Sequence, residues 1–233
     1  MVRDYQRPFG LPDGGVELVL VRHGSSVWST DDGGVALTGG RHDPPISADG
    51  RRQARAVALR LADETLNGLF VTPLRRTAET ARPLAEILGR EPVLVSDLRE
   101  VYLGDWEGEW NLRMAQRDPL ADDIFAAERW DVIPNAEPME DFAKRIRSGM
   151  EDVATAIGPD ASGVAFLHAG VIAEICRQAT GSTAFAFLYA ENCSISRVLR
   201  LSSGRWALRS FNDVSHLRTG ENARSPGEPD PGG

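Results

Sequence analysis

Residues 16–24 read Val-Glu-Leu-Val-Leu-Val-Arg-His-Gly, and this stretch constrains the fold more than any other. Its β-branched and leucine side chains form a near-continuous apolar run, as in a strand covered on both faces. Such strands occur where helices pack on either side of a parallel sheet. The run stops abruptly at Arg22-His23-Gly24. A guanidinium and an imidazole at the C-terminal end of a buried strand stand where open α/β sheets assemble their ligand chemistry. Taken alone, the tripeptide fits a strand that ends in polar residues at the surface equally well.

The rest of the chain alternates strand and helix patterns. Residues 1–15 mix charges with Pro and Gly and read as an irregular lead-in. Residues 24–46 carry many Gly, Ser, Asp and Pro residues and little periodicity, which predicts a long functional loop. Ser47 is placed to cap a helix over residues 48–63, with Ala54, Val57, Ala58 and Leu61 on one face. A second strand over 68–72 is followed by Pro73, which suits the first turn of a helix ending at Gly89. A third strand covers 92–95. Residues 106–137 read as an inserted helical cap lying over one end of the sheet. A long helix is expected over 139–157, a fourth strand over 164–167, a helix over 171–180 and a short helix over 184–189. Residues 194–201 and 205–211 alternate around Ser203-Gly204, a hairpin signal. The expected architecture is a three-layer α/β sandwich. Its central sheet is mostly parallel, with helices on both faces and an antiparallel hairpin at the C-terminal edge. One domain over 1–217 and a disordered tail over 218–233 complete the expectation.

Composition narrows the function classes. The net charge of −8 argues against general nucleic-acid binding. No run approaches the roughly 18 apolar residues of a membrane span. The lead-in lacks the apolar core of a secretory signal, so a cytoplasmic location and no membrane partner are expected. Cys176 and Cys193 lie in apolar surroundings without metal-pair spacing and read as buried reduced thiols.

Chemistry gathers at the strand ends. The chain has four histidines, and two of them, His23 and His168, directly follow apolar strands. Strand two leads into Arg75-Arg76 and strand three into Glu100. In a parallel sheet these ends share one edge, so two imidazoles, several guanidiniums and a carboxylate converge there. That set suits phosphoryl transfer. Arginines bind phosphate oxygens bidentately, and a neutral imidazole is a competent nucleophile near neutral pH. A carboxyl group whose pKa is raised can protonate the departing oxygen. A zinc site would want a spacing such as HExxH, and a Ser–His–Asp site a nucleophile elbow; neither occurs, nor does a Walker A loop. Either Arg75 or Arg76 could serve as phosphate ligand on this reading alone.

Five stretches in order carry a resemblance. They are Leu-Val-Arg22-His23-Gly24, Asp43-x-Pro45-Ile46-Ser47-x-x-Gly50, Thr72-Pro73-Leu74-x-Arg76-x-x-x-Thr80-Ala81, Leu98-x-Glu100-x-x-x-Gly104-x-Trp106-Glu107-Gly108 and Phe166-Leu167-His168-Ala169-Gly170. From about residue 18 to 217 the chain resembles the histidine phosphatase superfamily, the branch that includes the cofactor-dependent phosphoglycerate mutases. The resemblance implies His23 as the nucleophile that becomes phosphorylated and Glu100 as the acid that protonates the leaving group. It implies Arg22, Arg76 and His168 as phosphate ligands, and it selects Arg76 over Arg75, which then faces solvent or a carboxylate. No metal and no cofactor is implied; the partner is a small phosphorylated substrate. The chain departs from the family's R-H-G-E-T-x-W-N, reading Ser25-Ser26-Val27-Trp28-Ser29 after Gly24. Ser29 takes the place of a phosphate-binding Asn with a shorter reach and is carried as a substrate-binding candidate.

Three functions remain on this reading: a phosphatase of small metabolites, a phosphoglycerate mutase and a non-catalytic phosphate-binding module. After Glu100 the chain resembles the phosphatase branch, not the Glu-Arg-His-Tyr-Gly-Gly-Leu-like stretch of mutases. The tail after Arg218 is short of apolar residues and makes a poor lid. A binding module would be expected to lose one of the five site residues. His42 is expected at the surface, His216 in a structural role and Trp106 in the core. A homodimer through an edge strand or helix face is compatible with the pattern.

Overall fold

The computed structural model describes residues 9–27 and 37–217. Strand β1 (Val16–Arg22) lies at the centre, hydrogen-bonded to β6 (Ala161–Leu167) in parallel and to β7 (Ile195–Arg200) in antiparallel fashion. The six-stranded sheet adds β4 (Leu69–Val71), β5 (Val93–Leu94) and β8 (Trp206–Asp213) in the order β5-β4-β6-β1-β7-β8. Strands β5, β4, β6 and β1 run parallel, and β7 reverses before β8 turns back along it. The hairpin predicted around Ser203-Gly204 is this β7–β8 pair.

The alternation of side chains along the strands divides the core into two. Val19 and Val21, with Val164 and Phe166 of β6, face helices α1 (Ala48–Leu61) and α2 (Arg75–Leu88) through Val57, Leu61, Ala81 and Leu84. Leu18 and Leu20, with Ala165 and Leu167, face α5 (Met139–Ile157) and α6 (Ala169–Thr180) through Phe142, Ile146, Met150, Ile172 and Ile175. Each such leucine or isoleucine, fully buried, contributes roughly 1.5–3 kcal/mol of transfer free energy. The result is the three-layer α/β arrangement, a sheet covered by helices on both faces. Two short helices, α3 (Trp110–Ala115) and α4 (Pro119–Ala127), pack on the α5–α6 side through Ala121 and Ile124.

Local physics explains the helix boundaries. The Ser47 side chain accepts from the Gly50 N–H, as expected of a capping residue. Helix α2 ends at Gly89 in the left-handed conformation, φ 59°, which glycine adopts without a Cβ penalty. It does not, however, start at Pro73. Leu74 is still extended, and the first helical N–H, that of Arg75, is taken by Asp43 from the preceding loop. A side chain distant in sequence supplies the cap, so the helix begins where Asp43 reaches it.

Two further expectations are corrected. The loop after β1 contains a small antiparallel pair, β2 (Leu37–Thr38) and β3 (Arg41–His42), turning at Gly39-Gly40. Residues 184–189 form successive turns, not a helix, closed by bonds from Ala186 N–H to Thr183 and from Leu188 N–H to Phe185. Phe185 packs on Trp130 and Phe187 on Phe211, and so short a segment cannot offset helix nucleation by itself. Trp28, Ser29 and the tail over 218–233 lie outside the described residues. Among the described residues, no helix is long and apolar enough to cross a membrane.

Candidate active site

Sheet register brings the two strand-end histidines together. Arg22 of β1 is opposite Leu167 of β6, so the next residues, His23 and His168, emerge side by side with ring centroids 5.4 Å apart. The His23 N–H donates to the Leu167 carbonyl at 2.9 Å. Strand β4 flanks β6 on its other side, with Val71 opposite Phe166, and delivers Thr72 to within 2.9 Å of His168 Nε2.

The turn that carries His23 is fully tied down. Arg22 N–H donates to the Ser194 carbonyl, and the Arg22 carbonyl accepts from Cys193 N–H. The His23 carbonyl accepts from the Asn192 amide, and Gly24 N–H donates to Thr80 Oγ1, whose own proton goes to the Arg76 carbonyl. Gly24 also lets the turn touch the start of α1. A Cβ there would lie 2.7 Å from the Gly50 carbonyl oxygen, and one on Gly50 would run into that of Ser25.

Both imidazoles have a definable proton arrangement. His23 Nδ1 lies 2.9 Å from the Gly24 carbonyl oxygen, which can only accept. Nδ1 therefore carries the proton, and Nε2 keeps its lone pair. His23 is held well below the ordinary histidine pKa, first by burial and then by the Arg76 and Arg22 guanidiniums, so the ring is neutral at neutral pH. At His168 the hydroxyls set the direction. Thr77 Oγ1 donates to the Leu74 carbonyl, so Thr72 Oγ1 donates to Thr77 and accepts from His168 Nε2–H. His168 Nδ1 is then a buried nitrogen without a protein partner, as is Arg22 Nε. Burial, followed by Arg76 and His23, also holds His168 well below the usual range.

The cations arrive from separate elements. Arg22, at the end of β1, donates through Nη1 to the Ala190 carbonyl at 2.6 Å. Arg76, in the first turn of α2, is buried and donates to the His42 carbonyl at 2.8 Å, with Asp43 at 3.9 Å. His42 is thus not the free surface residue expected. It is half-buried, with its N–H on Glu107 and its carbonyl on Arg76. Arg75 points the other way and pairs with Glu79 on the exposed face of α2.

Glu100 closes the group. Its Oε1 accepts from Val101 N–H at 3.0 Å, and its Oε2 faces the Gly170 N–H at the start of α6 at 3.4 Å. A Cβ on Gly170 would come within 2.7 Å of Oε1, so the glycine after His168 admits the carboxyl group. Burial pushes Glu100 above the usual carboxylate range; its two N–H contacts, Arg76 and Arg22 oppose that without reversing it.

Arg145, which has no role in the sequence reading, and Arg41 hold this loop. Arg145 of α5 forms a two-pronged ion pair with Glu137 at 2.6 and 2.7 Å and donates to the carbonyls of Asp97, Arg99 and Glu100. Arg41 Nη1 donates to the same Glu100 carbonyl at 2.7 Å. Thr72 shows one sequence signal, its place directly after a strand. Arg145 shows none, because a charged residue beside an apolar helical stripe reads as solvated. The structure brings Arg22, His23, Arg76, Glu100 and His168 to one edge of the sheet; Ser29 lies outside the described residues. Among the described residues, no group of three or more His, Cys, Asp and Glu side chains could hold a metal ion.

Residues 18–214 match the family model described as histidine phosphatase superfamily, branch 1. A probable phosphoglycerate mutase, GpmB, of Photorhabdus laumondii is 30% identical over 214 residues, covering 88% of this chain and 96% of that protein. A metal-independent phosphoserine phosphatase of Arabidopsis thaliana is 28% identical, covering 86% and 83%. Among solved structures, a mycobacterial glucosyl-3-phosphoglycerate phosphatase aligns with a TM-score of 0.68 at 26% identity, covering 85% of this chain and 99% of the other.

Proposed function

The chain belongs to the histidine phosphatase superfamily, and on that premise we propose that it is a metal-independent phosphomonoester hydrolase of small phosphorylated metabolites. The observation that carries the reading is the His23 Nδ1 contact to the Gly24 carbonyl, which leaves the Nε2 lone pair available for attack on phosphorus. Arg22, Arg76 and His168 hold the phosphoryl oxygens. The buried Arg22 Nε becomes a donor to one of them, and so does His168 Nδ1 once it takes a proton beside the anion. The Nε2–P bond forms as the P–O bond to the leaving group breaks, and the Glu100 carboxyl proton goes to the departing oxygen. The alcohol leaves. Water then attacks phosphohistidine, its proton passes to the Glu100 carboxylate, and the N–P electron pair returns to Nε2. Inorganic phosphate departs and both groups are restored.

The names of similar proteins include mutases as well as phosphatases. A mutase must hold phosphohistidine away from water between transfers; a phosphatase must admit water, and the residues after Glu100 resemble the phosphatase branch. A single experiment separates the readings. Acid-labile, base-stable label on His23 should form from a ³²P-phosphoester, decay to inorganic phosphate and be absent in His23→Ala. Interconversion of phosphoglycerate isomers in preference to phosphate release would replace the hydrolase with the mutase. Unchanged turnover by a folded His23→Ala would remove the covalent mechanism.

A further inference from the structure

The phosphate cradle opens into a cavity of about 690 Å³. Arg22 and Glu100 stand at its inner end, and beyond them the wall is largely apolar: Leu103, Trp110, Met114, Phe125, Trp130 and Leu188. Trp110 is wedged among Trp106, Phe125 and Trp130, with ring centroids 5.8, 6.4 and 5.5 Å away, so its indole forms a supported wall. Among the described residues lining the cavity, Arg22 is the one cation; the other charged groups are Glu100 and, near the mouth, Glu191.

This lining discriminates between leaving groups. A leaving alcohol bearing a carboxylate and no cation, as in a phosphoglycerate, would bring an anion out of water onto aromatic faces. Arg22, the one cation among the described residues lining the cavity, is occupied by the phosphoryl group in the reading above, and Glu191 repels the carboxylate. A flat uncharged group gains from the same surface, both by leaving water and by contact with the indole rings. We infer that the substrate is a phosphomonoester whose leaving alcohol carries an uncharged aromatic or apolar ring system, and that this cavity selects against carboxylate-bearing phosphoesters. The inference rests on the hydrolase reading for the position of the leaving group at Glu100.

The test compares 2-phenylethyl phosphate with 3-phosphoglycerate. Both are esters of primary alcohols, so intrinsic leaving ability differs little. The ratio of kcat/KM should favour the phenylethyl ester by roughly 100-fold, and Leu188→Arg, which brings a cation to the wall, should shrink the ratio at least about tenfold. Calorimetric titration of both esters into His23→Ala supplies the ranking without turnover, and competition against p-nitrophenyl phosphate in the wild-type protein supplies it without a variant. Hydrolysis of p-nitrophenyl phosphate through His23, together with equal or better use of 3-phosphoglycerate, would overturn the substrate class and leave the hydrolase standing. Tighter binding of the phenylethyl ester without hydrolysis of any ester would uphold the cavity's preference and remove the hydrolase.

Discussion

Two regions meet at Glu100 and are held by different forces. From Arg22 to Gly24, each main-chain N–H and C=O has a hydrogen-bond partner, most of them supplied by distant segments. On the other side, Trp110, Met114 and Phe125 project from helices of six and nine residues and are positioned by ring and thioether packing. Hydrogen bonds fix direction as well as distance, whereas dispersion contacts accept small shifts at little cost. The turn that carries His23 is therefore held in one geometry. The wall beside it can change its shape preference while the sheet behind stays intact.

The largest effect should follow from Arg76→Ala. Removing a buried guanidinium that on the proposed reading meets charge in the transition state should cost roughly 10²–10³ in kcat/KM on every phosphoester, whatever its leaving group. Arg76→Lys should restore only part of this, because an ammonium cannot match the planar fork. Losses that varied strongly with the leaving group would show that cradle and wall are not separate.

Next in size is Glu100→Gln, which tests the junction. The loss should reach about 10²-fold on alkyl esters and stay below about tenfold on p-nitrophenyl phosphate, whose leaving oxygen needs little help. The pH profile of kcat/KM carries the same signature. In the proposed mechanism His23 works unprotonated, and its pKa is lowered, so activity should fall only as the pH drops well below 6.5, the ordinary histidine value. Glu100 in that mechanism works protonated, and its pKa is raised from 4.5, so activity should be lost as pH rises through that elevated value. Glu100→Gln should abolish the alkaline limb alone.

Arg145→Lys probes how the junction is positioned. A lysine cannot reproduce the two-pronged pair with Glu137 together with three carbonyl contacts. Turnover of alkyl esters should fall about tenfold, with p-nitrophenyl phosphate less affected, because the proton transfer from Glu100 is what loses its geometry. Equal losses on both substrates would assign Arg145 to general stability. The smallest effect belongs to Arg75→Ala: its exposed pair with Glu79 should be worth about 0.3–0.5 kcal/mol in chemical denaturation. Activity should hold, in contrast to its neighbour Arg76.

Much of the cradle was legible because a parallel sheet puts the ends of its strands on one edge. His23 and His168 each follow an apolar run directly, so their meeting needs only the knowledge that both strands are central and parallel. Arg76 was ambiguous with Arg75 until the family pattern chose between them; one helical step turns the two side chains roughly 100° apart. The expectation that Pro73 opens α2 failed because Asp43, some thirty residues earlier, caps that helix. The short helix expected over 184–189 failed because Phe185 and Phe187 are drawn to separate partners.

The sequence by itself determined the alternation of strands and helices, the apolar stripes that bury them and the residue types that end each strand. These follow from periodicity and local conformational preference, which act over a few residues. Tertiary structure alone decided which strand lies beside which, and with it the 5.4 Å approach of the two imidazoles. It also decided that Thr72 orients His168, that Arg145 and Arg41 grip the Glu100 carbonyl, and that Trp110 walls a cavity open to Arg22. Those contacts join segments tens of residues apart, and their partners become defined only when the chain is packed.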